Sequence, residues 1–140
     1  MDPHFLRKEK ASLHDLDEII RFIEEAVTEL KVRSAATQEV VLAAMEAVTN
    51  ILTHGYQETP GFVEIEIKQD GKALVVSFRD LAAPFDLTQM SPPDISLPLD
   101  QRPTGGLGVH LIRNFMDEMS HQAPAQGGNE LICIKKDVFA

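Results

Sequence analysis

The sequence predicts an α+β fold in which helices cover a mixed, mostly antiparallel sheet. Two long segments near the start repeat apolar residues at helical spacing, and the first of them predicts a helix over about residues 13–31. Later segments alternate apolar and polar residues as strands do, and Asp70-Gly71 between two of them is a hairpin signal. With 140 residues, 44% of them hydrophobic, the chain is expected to form one domain over residues 1–140.

Turn and cap residues predict where the two long helices begin and end. Ser12 and Asp15 resemble a capping box, with Asp15 where Glu or Gln is usual. The second helix is expected to begin at a cap on Ser34 or Thr37. It is expected to end just before Gly55, whose left-handed conformation would terminate it.

The rest of the chain is predicted to contribute mainly strands. A short helix is expected over about residues 106–117, and Gly127-Gly128 is expected to turn the chain into the last strand. Four or five strands are predicted, at about residues 63–68, 74–78, 119–122 and 129–137, with a further one at about residues 5–11.

The segment from about residue 81 to residue 105 is predicted to be irregular. Five of the chain's eight prolines lie in it: Pro84, Pro92, Pro93, Pro98 and Pro103. A loop of this length inside a compact domain is usually a lid, a binding loop or a disordered segment.

Composition excludes several classes of function. Thirteen basic and 22 acidic residues give a formal charge of −9, so no nucleic-acid surface is expected. The single cysteine, Cys133, lies in an apolar stretch and is expected to be buried rather than reactive. No apolar run approaches the roughly 18 residues that span a bilayer, and no secretory leader is recognised, so a cytoplasmic location is expected.

Glu46 and Asn50 are the first candidate site residues. They are four residues apart on the second predicted helix, so their side chains project about 40° apart around its axis. A carboxylate and an amide oxygen that converge in this way can hold Mg²⁺ and a hydroxyl group. A solvated helix face is the alternative, and for an isolated pair it is the more common outcome.

Two further segments can belong to the same site. Asp80 ends a predicted strand, where a carboxylate can accept a hydrogen bond from an exocyclic amine, although an ordinary turn acid is the alternative. The segment Thr104–Gly108, TGGLG, precedes a predicted helix, and its backbone amides can approach phosphates closely. A flexible hinge is the alternative there. Arg102 adds a charge that can pair with a terminal phosphate.

These segments together resemble a known superfamily. EAVTNILTHGY is similar to the N-box, DLAAPFD to the first glycine box, and RPTGGLGVHLIRNFMDEMSH to the second glycine box of the GHKL ATPase/kinase superfamily. Within it, the chain most resembles the small serine-protein kinases that act as anti-sigma factors, the RsbW type. The resemblance runs from the first helix to the last strand.

The resemblance implies a Bergerat-type two-layer α/β sandwich that binds ATP and Mg²⁺. It implies that Glu46 is the general base, that Asn50 coordinates Mg²⁺ and that Asp80 binds adenine. Further nucleotide-binding positions would be Ala82, Arg102, Thr104, Gly105, Gly106, Leu107 and Gly108. The implied substrate is a serine or threonine on a STAS-fold anti-anti-sigma protein, which competes with a sigma factor for the kinase. Such kinases commonly form homodimers.

The first glycine box departs from the usual D-x-G-x-P pattern. Ala82 stands where that pattern has glycine. If the glycine serves a positive φ or a close approach to adenine, the methyl group would weaken nucleotide binding or shift the loop.

Two other functions compete with the kinase interpretation. In the first, the chain is a binding module in which nucleotide only tunes affinity for a protein partner. Glu46 at the base position favours the kinase, because binding alone would not require this acid. The second is the catalytic domain of a sensor histidine kinase, which is expected to fit less well because no dimerising phosphoacceptor helix pair is recognised before the first strand.

Overall fold

The computed structural model describes residues 4–57, 59–86, 88 and 106–140, and for residues 106–110 it describes the backbone alone. Three α-helices are present: α1 (Leu16–Glu29), α2 (Ser34–Asn50) and α3 (Gly106–Phe115). The strands are β1 (His4–Ala11), β2 (Gly61–Asp70), β3 (Ala73–Asp80), β4 (Glu118–Gln122) and β5 (Asn129–Lys136). The five strands and the three helices were all predicted, to within a few residues at each end.

The strands form one sheet in the order β1-β2-β3-β5-β4, and every neighbouring pair is antiparallel. The predicted hairpin joins β2 to β3, and Gly71 in its turn has a φ of 59°. β5 pairs with β3 although the two are far apart in sequence, and this register sets Asn129 opposite Asp80. The end of β3 therefore lies beside the start of β5.

The core lies between the helices and one face of the sheet. Val63, Ile65 and Ile67 of β2 are each 1% exposed or less, and the charged residues between them lie on the other face. Ile23 of α1 and Val48 of α2 are fully buried from the helical side. This is the predicted α+β arrangement.

The opposite face of the sheet carries an ion-pair cluster. Arg79 donates hydrogen bonds to Glu64 and Glu66 on one neighbouring strand and to Glu130 on the other. Burial lowers the pKa of the Arg79 guanidinium, but the hydrogen bonds to Glu66, Glu130 and Glu64 together raise it above its ordinary value. The cluster joins the three central strands on this face.

The capping box is confirmed, with a short 3₁₀ turn over Leu13–Asp15 before α1. The Ser12 amide donates to Asp15 Oδ2 at 2.9 Å. The cap predicted for α2 was wrong, since Ser34 is already helical and Arg33 is the capping residue. The Arg33 amide donates to Val138 O at 2.8 Å, which holds residue 33 extended and makes the helix begin directly after it.

The predicted termination of the second helix by a left-handed Gly55 was also wrong. α2 continues into a π-helical turn over Ile51–Gly55, in which the Tyr56 amide donates to Ile51 O at 2.9 Å. Gly55 lies inside this turn and does not have a positive φ; the left-handed residue is Gln57, with a φ of 52°. Such π-turns are frequent at functional sites.

Of the segment from 81 to 105 that was predicted to be irregular, residues 81–86 and 88 are described, and none of these lies in a strand or an α-helix. The rest of that prediction lies outside the described residues. Cys133 is 2% exposed, and burial raises the pKa of its thiol to about 12. Within the described ranges, no helix is long and apolar enough to cross a bilayer.

Candidate nucleotide site

A pocket opens where the end of α2 meets the ends of β3 and β5. It brings together two of the predicted site residues, Asn50 and Asp80, which are 30 residues apart in sequence. Phe85, His121 and Asn129 also line it. Glu46 is partly exposed one turn earlier on the same helix, outside the lining of the described pocket.

Asp80 is a buried carboxylate in which one oxygen accepts hydrogen bonds and the other has no donor among the described residues. Its side chain is at the end of β3, and the residue is 7% exposed. Asp80 Oδ1 accepts hydrogen bonds from the Ala82 amide at 2.9 Å and from Asn129 Nδ2 at 3.0 Å. Among the described residues no donor reaches Oδ2. This oxygen is therefore available to accept a hydrogen bond from a ligand.

Burial is the largest influence on the protonation of Asp80, and it raises the pKa of the carboxyl above its ordinary value. The hydrogen bond from Asn129, the Ala82 amide and the charge of His121 each lower this pKa by less. A carboxylate held in this environment gains from a further donor, because a hydrogen bond to the ionised form offsets the cost of burial.

Asn50 has an unsatisfied polar group. It ends α2 and is 7% exposed, and its Nδ2 is buried with no hydrogen-bond partner within the described part of the chain. A buried amide without partners costs about 1–3 kcal/mol, and a ligand can remove this cost. Rotating the amide by 180° exchanges nitrogen for oxygen, so the same position can present a ligand atom to Mg²⁺. The residue thus fits a metal–nucleotide ligand.

Ala82 lies in the loop directly after Asp80. It is 6% exposed and does not have a positive φ, so its backbone conformation is one that alanine adopts without strain. Gly55 faces it, and a Cβ built on residue 55 would lie 3.1 Å from the Ala82 Cβ. The methyl group therefore packs against the π-turn.

Gly128 is required where β5 approaches the end of β3. It has a φ of 85°, and a Cβ at this position would lie 1.9 Å from the carbonyl oxygen of Asp80. Any side chain would therefore push the two strand ends apart. This glycine keeps Asn129 within hydrogen-bond distance of Asp80.

Comparison with known proteins identifies the family. A model of the histidine kinase-like ATPase domain matches residues 10–135, which is most of the chain. The chain belongs to this family. The matched range includes Glu46, Asn50, Asp80 and the second glycine box.

Individual relatives of this ATPase domain are serine-protein kinases. The chain is 33% identical over 86 residues to proteins named serine-protein kinase RsbW from Bacillus cereus, Bacillus anthracis and Bacillus thuringiensis. Each match covers 59% of this chain and 54% of the relative. The chain spans about half the length of the curated relatives it matches.

The second glycine box of the ATPase domain is only partly described. Arg102, Thr104 and Gly105 lie outside the described residues. Gly106 begins α3, and Leu107 and Gly108 follow in its first turn, where the backbone alone is described. Their contact with phosphates stays a prediction.

Sequence reasoning missed His121 and Asn129 as residues that line this pocket. Asn129 follows the Gly127-Gly128 turn, whose two glycines were the available signal. The pairing of β5 with β3 places Asn129 beside Asp80, and this pairing joins strands about fifty residues apart. Tyr56 was also missed: its hydroxyl donates to Phe62 O at 2.6 Å and accepts from the Leu81 amide at 2.7 Å.

Proposed function

We propose that this chain is an ATP-dependent serine/threonine protein kinase that acts as an anti-sigma factor. The observation that carries the proposal is the shared pocket of Asn50 and Asp80, in which Asn50 Nδ2 is buried without a described partner and Asp80 Oδ2 is open. Membership of the ATPase family and similarity to RsbW serine-protein kinases support it.

The proposed roles follow the chemistry of each group. Asp80 Oδ2 accepts a hydrogen bond from the adenine amino group, and Asn50 coordinates Mg²⁺. Ala82 borders the base. The phosphates are held by the second glycine box and its flanks, at Arg102, Thr104, Gly105, Gly106, Leu107 and Gly108.

In the proposed reaction, Glu46 takes the proton of a serine hydroxyl on the partner protein. The hydroxyl oxygen bonds to the γ-phosphorus of ATP, and the bond from that phosphorus to the β–γ bridging oxygen breaks, releasing ADP. When bound, Mg²⁺ neutralises charge on the phosphates, and positioning supplies most of the remaining catalysis. Glu46 needs only to lie within reach of the hydroxyl in the complex, because such contacts tighten when substrate binds.

The proposed substrate is a STAS-domain anti-anti-sigma protein, and the proposed competitor is a sigma factor. The chain would act as a single histidine kinase-like ATPase domain in the cytoplasm, as a monomer or homodimer, without direct contact with nucleic acid or membrane. Its formal charge of −9 fits a protein partner better than a nucleic acid.

The decisive test is phosphorylation of the partner. Incubation with labelled ATP and candidate STAS proteins should label one of them, and Glu46→Gln should reduce transfer at least about 100-fold while ATP still binds. Glu25→Gln, which removes an exposed carboxylate from α1, is the matched control and should transfer normally. Tight ATP binding without transfer to any candidate would refute the kinase assignment.

The second candidate is a nucleotide-gated binding module without transfer activity. It is favoured by the position of Glu46 outside the lining of the described pocket. In that case Glu46→Gln would leave partner regulation intact, whereas Asn50→Ala or Asp80→Ala would abolish its dependence on nucleotide. Measuring partner binding with and without ATP for these variants separates the two functions.

A further inference from the structure

The Asn129 side chain is held in one orientation. Its Nδ2 faces three oxygens: Asp80 Oδ1 at 3.0 Å, Ala83 O at 3.1 Å and Ala82 O at 3.5 Å. Its Oδ1 accepts from the Phe85 amide at 2.8 Å. An exchange of the two amide ends would set oxygen against oxygen and nitrogen against an N–H group, so only this orientation satisfies the surroundings.

The orientation of Asn129 determines the role of His121. His121 Nε2 lies 2.7 Å from Asn129 Oδ1, which is an acceptor, so Nε2 carries the proton and donates it. The His121 side chain is 10% exposed, and its Nδ1 lies 3.8 Å from Asp86 Oδ1. His121 therefore supports Asn129 from β4, the edge strand next to β5.

These hydrogen bonds link His121 through Asn129 to the Asp80 carboxylate, whose Oδ2 remains open. Asn129 fills Asp80 Oδ1 and holds the backbone of the loop at Ala82, Ala83 and Phe85. What remains for a ligand is an acceptor, Oδ2. An acceptor favours a base with an exocyclic amino group and disfavours one with a carbonyl oxygen at the same position.

We propose that Asn129 and His121 are positioning residues that set Asp80 to select adenine over guanine nucleotides. Neither residue needs to touch the base, since each acts through the orientation of the Asp80 carboxylate. The proposal rests on the proposed function insofar as the ligand is a purine nucleoside triphosphate.

The test compares the affinities for ATP and GTP by titration calorimetry. His121→Leu removes the donor to Asn129, and we expect about a tenfold loss of ATP affinity with little change for GTP, so that the ATP/GTP ratio falls. His121→Gln keeps a donor at the Nε2 position and should restore the ratio. Gln122→Ala, at the exposed neighbouring position, is the control.

Asn129→Asp provides a second variant with nearly the same shape. It sets a second carboxylate beside Asp80, so ATP affinity should fall about ten- to a hundredfold at pH 8 and recover in part as the pH is lowered and the pair takes up a proton. Among the described residues, the titratable groups that face this position are Asp80 on β3, His121 on β4 and Asp86 after β3; Tyr56 lies near Asp80. Thermal unfolding without ligand verifies that each variant is folded.

The outcomes separate this inference from the proposed function. If the wild-type chain binds ATP but His121→Leu and Asn129→Asp keep its ratio of ATP to GTP affinity, the positioning role is refuted and the kinase proposal stands. If Asn129→Asp does not fold, the ratios of ATP to GTP affinity of His121→Leu and His121→Gln test the positioning role. If the wild-type chain binds neither nucleotide, the proposed function is overturned and this inference with it.

Discussion

Gly55 lies against Ala82 so closely that a Cβ on residue 55 would lie 3.1 Å from the Ala82 Cβ. The contact joins the π-turn after α2 to the loop after β3, and these two segments directly follow Asn50 and Asp80. Ala82 stands where the first glycine box usually has glycine, and here the residue without a side chain is its neighbour across the contact. The glycine pattern leaves room for the contact at position 82, whereas in this chain the room comes from the absence of a side chain at position 55.

We therefore predict that Gly55→Ala is harmful only while residue 82 is alanine. The added methyl should crowd the Ala82 methyl, lower the free energy of unfolding by about 1–2 kcal/mol and weaken ATP binding by shifting the loop after Asp80. Urea unfolding and ATP titration measure the two effects.

The double variant Gly55→Ala/Ala82→Gly exchanges the two residues and is the matched control. It should recover most of the ATP affinity, with a coupling energy of about 1 kcal/mol in the double-mutant cycle. Strictly additive effects would show that the two residues do not restrain each other.

Tyr56 is expected to stabilise the same junction through its hydroxyl. Tyr56→Phe leaves Phe62 O without its donor and the Leu81 amide without its acceptor. The free energy of unfolding should fall by about 1–2 kcal/mol in urea titrations. The ring itself should stay in place, because Gly61 leaves room for it: a Cβ there would lie 2.4 Å from a ring carbon. An unchanged unfolding midpoint would contradict the role of the hydroxyl.

Asp80 is expected to lower the stability of the ligand-free chain at neutral pH. Burial raises its pKa above the ordinary value of 3.8, so ionisation favours the unfolded chain and the stability contributed by this group is lost as the pH rises above that value. Asp80→Asn should therefore match the wild type in stability at pH 4 and below and become more stable than it towards pH 7. Thermal unfolding across this range tests the prediction. A decrease in the stability of the variant relative to the wild type between pH 4 and pH 7 would contradict it.

Cys133 should be chemically inert in the folded chain. Burial raises the pKa of its thiol to about 12, so almost no thiolate is present at pH 8. A thiol reagent such as Ellman's reagent should react with no cysteine in buffer and with one in strong denaturant, since the chain has a single cysteine. Rapid reaction in buffer would mean that β5 is accessible.

Much of the fold could be predicted because its signals are local. The alternation along β2, the Asp70-Gly71 turn and the Ser12–Asp15 capping box each depend on residues close in sequence. The left-handed termination at Gly55 was predicted wrongly, because Gly55 lies inside a π-turn that places it against Ala82, a contact made only in the folded chain. Neither a propensity nor a spacing reports such a contact.

The candidate site also combines residues that could be predicted from the sequence with residues that could not. Asn50 and Asp80 could be proposed from residue type and motif spacing, and the fold places them in one pocket. Asn129 and His121 could not, because their position depends on the register of β5 with β3 and β4. The roles of Glu46 and of the second glycine box stay predictions.

The central claim is that Asn50 and Asp80 form one Mg²⁺–ATP site. It is tested most directly by titrating ATP into the wild type, Asn50→Ala and Asp80→Asn, each with and without Mg²⁺. We predict that Asp80→Asn binds ATP at least about tenfold more weakly in both conditions, whereas Asn50→Ala loses only the part of the affinity that depends on Mg²⁺. Wild-type affinity and Mg²⁺ dependence in both variants would contradict the claim.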